Sequence, residues 1–461
     1  MKLQFNGADR GVTGSCHLLD CAGKRILVDC GLYQGGRELD EENAEPFGFD
    51  AASVDFVLLT HAHLDHVGRL PLLARRGLRG EVIATGATRE LARLVMLDAA
   101  KLHEEEAERA AHHTRHGPRA AAVKPLYTEL DALNVLDRFG RTARYAQPLD
   151  LAPGIRATFL DAGHILGSAS ILLELEESGR RRRLLFSGDL GNRGRGLLRD
   201  PVTPPVVDVV VMETTYGDRL HKRIEPSVHE LYSAIVETLR RGGNVVIPTF
   251  ALERAQELLF HMKRGLSSGA LPARLQVFLD SPMAISATEI FEHHPECYDD
   301  STRALFRDGD DPLQLPGLHL ARETAESIAL NRIDGGAVIM AGSGMCTGGR
   351  VRHHLKHNLP REQSSVVFVG FASQGTLARR IIDGARSVQI FGEEVPVRAR
   401  VHTINGFSAH ADRDELLEWH RATGAARTFL VHGEQEVMRK FASVLEGTEV
   451  VMPALHEEHE L

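Results

Sequence analysis

The chain has 461 residues, of which 43% are hydrophobic and 25% are charged, a balance typical of a folded protein with more than one core. Its net charge of −9 argues against a protein that coats nucleic acid by general electrostatic attraction, although a local basic groove stays open. We find no apolar run of bilayer-spanning length and no apolar segment of a secretory signal, so we expect a cytoplasmic protein without membrane contact. The five cysteines form no C-x-x-C pair, which suits a reducing compartment.

Short apolar runs rich in β-branched residues recur along the chain, and each ends at a polar residue inside a turn that contains glycine. Runs of this kind are typical of buried strands. The polar residues that end or follow them are Asp29, His61, His164, Asp189, Glu213 and His432. Because layered α/β enzymes often carry their chemistry at strand ends, these residues are the first candidates for a functional site.

Amphipathic stretches alternate with the strands and predict helices at residues 86–113, 227–240, 252–264 and 408–421. Alternating strands and helices place the chain in the α/β fold class. The proline-rich segment RDPVTPPVVD is followed by a block with its own alternation of strands and helices, so we expect a domain boundary shortly after this segment.

The densest chemical signal is the segment HAHLDH, directly after the strand-like run DFVLLT. It places His61, His63, Asp65 and His66 within six residues. Imidazole and carboxylate groups suit zinc, manganese or iron. Four such groups so close in sequence cannot easily converge on one ion, but a tight turn could direct one pair to each of two neighbouring ions. A carboxylate such as Asp189 could bridge the two, whereas a solvated loop would not account for the combination.

HAHLDH matches H-x-H-x-D-H, the signature of the metallo-β-lactamase fold, and the chain resembles that superfamily. The resemblance implies an αββα sandwich that holds two zinc ions, with manganese as an alternative metal. By this resemblance, the ligands of the first zinc are His61, His63, His164 and Asp189. Those of the second are Asp65, His66, Asp189 and His432. Asp29 would orient ligand histidines through hydrogen bonds.

A long block precedes the last of these ligands and looks like the β-CASP domain of nucleic-acid-processing enzymes. The resemblance implies a metallo-β-lactamase domain at 1–212, a β-CASP domain at 213–396 and a return segment at 397–461. The group's extra motifs match Glu213 in METTYGD, His410 in GFSAHAD and His432 in LVHGE. Members directed at DNA usually carry an aliphatic residue at the third motif, so the histidine implies RNA as the substrate.

Two glycine-rich turns, GSGMCTGGR and FASQGTLARR, follow strands of the second block. Unhindered backbone N–H groups in such turns can cradle a phosphate, although either turn alone is a weak signal. The candidate contacts to RNA phosphates are Ser343, Gly344, Ser373, Gln374, Gly375, Thr376 and the clamp residue Arg254. With one tryptophan and 5% aromatic residues, the chain offers few platforms for base stacking, so backbone contacts should dominate.

The expected activity is zinc-dependent hydrolysis of RNA phosphodiester bonds in RNA processing or degradation, as an endonuclease, a 5′→3′ exonuclease or both. His410 paired with Glu213 is the candidate general acid, and Asp65 is counted with them in the catalytic set. The alternatives are a hydrolase of small thioesters or lactones on the same fold, a DNA nuclease, and an RNA-binding subunit without activity. A homodimer is compatible with the sequence.

Overall fold

Strands and helices alternate along the chain, which confirms the α/β fold class predicted from the sequence. The structure is a computed structural model, and it describes residues 1–35, 37–114, 124–370 and 372–461. Within these residues, no helix combines the length and the apolar character needed to cross a bilayer. The five cysteines are buried.

The strands of the first half, in chain order, are β1 Lys2–Phe5, β2 His17–Cys21, β3 Lys24–Val28, β4 Phe56–Leu58, β5 Glu81–Thr85, β6 Phe139–Ala143, β7 Leu149–Ala152, β8 Ile155–Asp161, β9 Ala169–Glu177, β10 Arg180–Phe186 and β11 Val209–Glu213. They continue with β12 Val245–Pro248, β13 Gln276–Leu279, β14 Leu318–Leu320, β15 Ala337–Ala341, β16 Ser365–Phe368, β17 Ser387–Ile390, β18 Glu393–Pro396, β19 Arg400–Thr403, β20 Arg427–Val431, β21 Glu449–Val451 and β22 Glu458–Glu460.

The helices are α1 Arg37–Glu42, α2 Leu64–Val67, α3 Leu70–Arg75, α4 Gly86–Thr114, α5 Glu129–Leu136, α6 Ile224–Arg240, α7 Arg254–Ser267, α8 Pro282–His293, α9 Asp300–Arg307, α10 Thr324–Leu330, α11 Val351–Asn358, α12 Leu377–Ile382, α13 Arg413–Thr423 and α14 Gln435–Ala442.

Two mixed sheets pack face to face. One has the order β22-β1-β2-β3-β4-β5-β6 and the other the order β21-β20-β11-β10-β9-β8-β7. Their inner faces share one buried core, in which Phe5 and Ile26 of one sheet join Phe159, Phe186 and Phe429 of the other. Because successive strand residues face opposite sides, the apolar residues at every second position fill this interior.

Helices cover the outer faces of the two sheets. On one side, Leu416 and Trp419 of α13 and Phe441 of α14 pack against a core that includes Met212 of β11. On the other side, α4 contacts β5 and β6. The layers are therefore helix, sheet, sheet and helix, which confirms the αββα sandwich implied by the resemblance.

A third sheet has the order β14-β13-β15-β12-β16-β19, and its pairings are parallel. Its central strands β12 and β15 are buried along their full length, as expected for a parallel sheet covered on both faces. Leu355 of α11 and Ile381 of α12 pack over Val246 and Phe368 of the sheet.

The chain divides into two compact units. The first contains the sandwich and comprises Met1–Arg193, Asp200–Leu220 and His410–Leu461. The second contains the parallel sheet and comprises Gly194–Arg199 and His221–Ala409. The domain assignment made from the sequence, with boundaries at 212/213 and 396/397, stays a prediction.

The predicted helices are present, but the last one starts later than its sequence pattern indicates. Residues 408–421 were expected to be helical, whereas α13 begins at Arg413. The cause is the cap residue Asp412, whose side chain accepts hydrogen bonds from the backbone N–H groups of Asp414 and Glu415. The residues before Asp412 are therefore left outside the helix.

The β2–β3 hairpin contains a strained residue that can be replaced. Its two turn residues have positive φ angles, 49° at Ala22 and 72° at Gly23, as a type I′ turn requires. Alanine in this region costs about 1 kcal/mol, whereas asparagine tolerates it. We therefore expect Ala22→Asn to raise the free energy of unfolding by about 0.5–1 kcal/mol, measured by urea denaturation. The control Ala270→Asn, at an exposed position without positive φ, should bring no gain; an equal gain there would contradict the turn argument.

Candidate metal centre

The HAHLDH segment changes direction where α2 begins. His61 follows β4 by three residues, and His63 is the N-cap of α2 with an extended backbone (φ −65°, ψ 150°). Asp65 and His66 already belong to the helix. His61 and the cap residue His63 therefore point in one direction, and the two helical donors point in another. One short segment thus contributes metal-binding side chains to two separate clusters.

The first cluster contains His61, His63, His164 and Asp189, whose potential ligand atoms all lie within 4.8 Å of one another. His63 Nδ1 is 3.1 Å from His61 Nε2 and 3.2 Å from His164 Nε2. Asp189 Oδ2 is 3.5 Å from His61 Nε2 and 3.6 Å from His164 Nε2. Three imidazoles and a carboxylate thus converge on one point, which is a donor set that suits zinc.

The second cluster contains Asp65, His66 and His432, again within 4.8 Å. His432 Nε2 is 3.2 Å from His66 Nε2 and 3.5 Å from Asp65 Oδ2. The other carboxylate oxygen of Asp189, Oδ1, is 3.3 Å from His66 Nε2. Asp189 therefore presents one oxygen to each cluster.

Within the part of the chain that the structure describes, several donor atoms of the two clusters lack good hydrogen-bond partners, and a bound metal ion would take the place of such partners. Asp189 Oδ1 is buried and accepts no hydrogen bond of good geometry from the described residues, even though His66 Nε2 lies close by. Ring nitrogens of His66 and His432 also face each other. Buried polar atoms are normally satisfied, and a divalent cation in each cluster would satisfy these.

The charges of the site favour cations. Burial lowers the pKa of His61 well below its ordinary value and that of His63 to about 4, so both are neutral donors. Burial opposes ionisation of Asp189, but His432 and His66 outweigh it and hold the pKa of this carboxyl well below its usual range. Burial lowers the pKa values of His66 and His432, but Asp189 outweighs burial and raises both. In the metal-free site these two imidazoles supply the positive charge that bound cations would supply in their place.

Asp29 fixes the orientation of the second cluster. It follows β3, and its carboxylate accepts hydrogen bonds from the backbone N–H of Thr60 (2.8 Å) and the Thr60 hydroxyl (2.7 Å). Its Oδ2 is also 2.7 Å from His66 Nδ1. With Nδ1 held in this way, His66 turns Nε2 toward Asp189 and His432. The contact is of the kind that the resemblance implied for Asp29, whose role in orienting a metal ligand stays a prediction.

A third group of donors adjoins Asp189. Glu213 ends β11 and is 1% exposed, and its Oε1 is 3.2 Å from His410 Nδ1. The same oxygen accepts a hydrogen bond from the backbone N–H of Leu190 (2.6 Å), and His410 Nδ1 is 4.0 Å from Asp189 Oδ2. Burial lowers the pKa of His410, but Glu213 outweighs burial and raises this pKa to about 9.

Known proteins share this architecture and its motifs. Three family models match the chain: the metallo-beta-lactamase superfamily at 9–249, the Beta-Casp domain at 255–381 and the Zn-dependent metallo-hydrolase RNA specificity domain at 394–453. A ribonuclease of Thermus thermophilus is 43% identical over 99% of both chains. The chain belongs to the β-CASP branch of the metallo-β-lactamase superfamily. Transcription termination factor FttA of Methanocaldococcus jannaschii is 32% identical over 96% of this chain and 69% of its own.

A solved structure supports the fold alone. A protein of unknown function from Enterococcus faecalis aligns with the whole chain at a TM-score of 0.56 and 13% identity, and the alignment covers 99% of that protein. Together with the family matches, it agrees with the sandwich and the inserted parallel sheet of this β-CASP protein.

The late start of α13 explains how His410 reaches the site. Since Asp412 caps the helix, His410 lies in an extended segment that forms a β-bridge with Gly191. Gly191 is two residues from Asp189 in the chain. A helix starting at residue 408 would have placed His410 on a helical turn instead. The sequence pattern indicated His410 as a candidate, but it did not predict the extended backbone that positions this residue.

Three contributors were missed by the sequence analysis. The Thr60 hydroxyl is 3.1 Å from His61 Nδ1, and the Thr215 hydroxyl is 3.0 Å from His432 Nδ1. Gly31 is needed because a Cβ there would lie 1.6 Å from the carbonyl oxygen of Asp65. The signal for each was its place beside a strand-end candidate: Thr60 before His61, Gly31 after Asp29 and Thr215 after Glu213.

The predicted phosphate contacts lie in the second unit. The loop that carries Ser343 and Gly344 follows β15, and the loop of Ser373 to Thr376 follows β16. The two loops meet at Met345, whose Sδ lies 3.4 Å from the backbone N–H of Ser373. The Met345 carbonyl also accepts a hydrogen bond from the N–H of Ala378 in α12 (3.2 Å). The hydroxyl of Thr376 caps α12 by accepting a hydrogen bond from the N–H of Arg379 (3.2 Å).

Arg254 begins α7 and forms an ion pair with the buried Glu257, which also binds Arg195. Ser343 is tied into its own loop, where its hydroxyl lies 3.4 Å from the backbone N–H of Gly348. Gly344 and Arg254 line one groove. The phosphate-binding roles of these residues, and of Gln374 and Gly375, stay predictions.

The orientation of His66 by Asp29 can be tested directly. Asp29→Asn keeps the shape of the side chain but weakens its hydrogen bond with His66 Nδ1, so metal affinity should fall about 10–100-fold. Zinc titration of the apoprotein, followed by metal analysis after dialysis, measures this fall. The matched control Asp55→Asn removes a carboxylate that binds Lys24 and the N–H of Arg25 on the same sheet, and it should leave metal affinity unchanged. Equal affinity in both variants would remove Asp29 from the metal site.

Proposed function

We propose that this β-CASP protein is a two-zinc ribonuclease that hydrolyses RNA phosphodiester bonds. One observation carries the proposal: His410 and His432 lie in the segment matched by the RNA specificity domain, and both stand beside Asp189 between the donor clusters. A thioester or lactone hydrolase of the same fold would not need this segment. A subunit without activity is disfavoured because the donor set is complete among the described residues.

The ligand sets follow the two clusters. One zinc would be held by His61, His63, His164 and Asp189, and the other by Asp65, His66, Asp189 and His432. When bound, such cations lower the pKa of coordinated water toward neutrality and offset the negative charge of a phosphodiester. Oxygen and imidazole donors of this kind also accept manganese.

His410 is assigned to protonate the leaving sugar oxygen. Glu213 holds its Nδ1 and keeps the imidazole charged at neutral pH, so the proton to be delivered is that on Nε2. Glu213 is itself held by the N–H of Leu190, which fixes the direction of the pair. Asp65 joins the catalytic set as an ionised carboxylate ligand.

The proposal also covers the domain boundaries, the mode of cleavage and the oligomeric state. We divide the chain into a metallo-β-lactamase domain at 1–212, a β-CASP domain at 213–396 and a return segment at 397–461. Cleavage is internal, from the 5′ end, or both, and a homodimer remains compatible with the sequence.

Substrate class can be decided by comparing matched substrates. The zinc-loaded protein should cleave 5′-labelled RNA, leave the matching DNA oligonucleotide intact and leave a thioester intact. Chelation should abolish cleavage and added zinc should restore it. The same RNA labelled at either end, with and without a 5′-monophosphate, distinguishes internal cleavage from 5′ trimming. Thioester hydrolysis without RNA cleavage, or equal cleavage of DNA, would overturn the proposal.

The role of His410 has its own test. His410→Ala should lower kcat by about 10²–10⁴-fold, the range for loss of a general acid, while zinc content stays at the wild-type level. His229→Ala, at an exposed histidine of α6, is the control and should keep full activity. Loss of zinc in the His410 variant would make His410 a ligand, which its place in the group with Asp189 and Glu213 would allow.

A further inference from the structure

The parallel sheet of the second unit has a groove where its topology changes direction. From β12 the chain moves to β13 and β14 on one side, and it later returns past β12 to β16 and β19 on the other. Open parallel sheets bind ligands at the carboxyl ends of their strands at such a switch point. The groove lies there, lined by Pro248, Phe250, Arg254, Gly344, Phe368 and Gly370.

An aromatic ring is exposed in this groove. The side chain of Phe250 is 47% exposed, and a Cβ at Gly344 would come within 3.0 Å of its ring. Glycine at 344 therefore leaves room for the ring to lie against the loop. Within the described residues, no other aromatic ring or cation stacks on Phe250.

The second highly exposed phenylalanine of the described chain, Phe391, differs in this respect. Its ring is 4.4 Å from the ring of His353 and carries the guanidinium of Arg352 at 4.4 Å from its centroid. Two neighbours thus stack on the exposed ring of Phe391, whereas none of the described residues stacks on Phe250. This contrast makes Phe391 a matched control.

The loop against the Phe250 ring contains two backbone N–H groups that could bind a phosphate. The backbone N–H groups of Gly344 and Met345 donate no hydrogen bond to the described residues, and both lie in a loop that is only partly buried. Consecutive N–H groups of this kind bind anions. Arg254 also lines this groove, and its guanidinium forms an ion pair with the buried Glu257.

We propose that Phe250 is a stacking platform for one RNA base, in a nucleotide subsite whose phosphate lies on the N–H groups of Gly344 and Met345. The inference rests on the proposed ribonuclease function and extends it to the residue that holds a base. A flat apolar ring next to an anion-binding loop matches a nucleotide, which offers a π-face and a phosphate together. The occupant is a nucleotide within an RNA chain.

Binding of a non-cleavable 2′-O-methyl RNA oligonucleotide to the zinc-loaded protein tests the subsite, with fluorescence anisotropy at fixed salt. Phe250→Ala should raise Kd by about 5–100-fold, the range for loss of one base–aromatic stack. Phe250→Trp should retain affinity, and Phe391→Ala should stay within about twofold of wild type. Phe250→Leu, which keeps apolar bulk without a ring, should lose affinity like the alanine variant even if that variant is unstable. Equal Kd for the wild type, Phe250→Ala and Phe250→Leu would overturn the subsite.

A series of oligonucleotides with one abasic position each identifies the base. At one position, base removal should weaken wild-type binding, and Phe250→Ala should add no further loss there. Additive losses at every position would overturn stacking. A free mononucleotide can be added as a competitor. If it abolishes the difference in Kd between the wild type and Phe250→Ala without displacing the RNA, the groove binds a free nucleotide and the inference is overturned. If the wild-type protein binds no RNA, the proposed function itself fails; if it binds RNA and Phe250 has no effect, only the subsite fails.

Discussion

The site depends on the placement of one buried carboxylate between two groups of imidazoles. Asp189 is 2% exposed, and its two oxygens face His61 and His164 on one side and His66 on the other. A buried charge is costly unless it is compensated. Compensation here requires positive charge on both sides of the same side chain, which a bound cation in each donor cluster would provide. The other candidate ligands lie around Asp189 on these two sides.

The sandwich meets the requirement by joining strand ends that are distant in sequence. In the second sheet, β10, β11 and β20 are neighbouring parallel strands, so Asp189, Glu213 and His432 emerge at the same edge. The first sheet contributes the segment after β4, held by Asp29 after β3. Neighbouring parallel strands end together, and turns at those ends carry polar side chains without breaking the apolar core.

This geometry explains what the sequence could predict. Strand-end residues are visible as polar residues after apolar runs, so the sequence could nominate the ligand candidates and Asp29 together with the α/β class. Contacts set by local capping could not be predicted. Because Asp412 caps α13, the helix begins at Arg413 and the segment of His410 lies outside it. Thr60 and Gly31 act through hydrogen bonding and close approach, which only the packed backbone reveals. The exposure of Phe250 likewise depends on the space that Gly344 leaves for its ring, a property of two segments that meet only in the fold.

The proposed chemistry and the proposed RNA contacts draw on different parts of the chain. Every member of the three donor groups, including His410 and Glu213, belongs to the first unit, whereas Phe250 and both glycine-rich loops belong to the second. Substitutions in the groove can therefore change RNA affinity while the donor set keeps its hydrogen bonds and its charge. A chain with a net charge of −9 gains little from long-range attraction to RNA. Its affinity must then come from short-range contacts, such as those proposed for the backbone N–H groups of Gly344 and Met345 and for the exposed ring of Phe250. Such contacts tolerate many sequences because every nucleotide has a phosphate and a π-face.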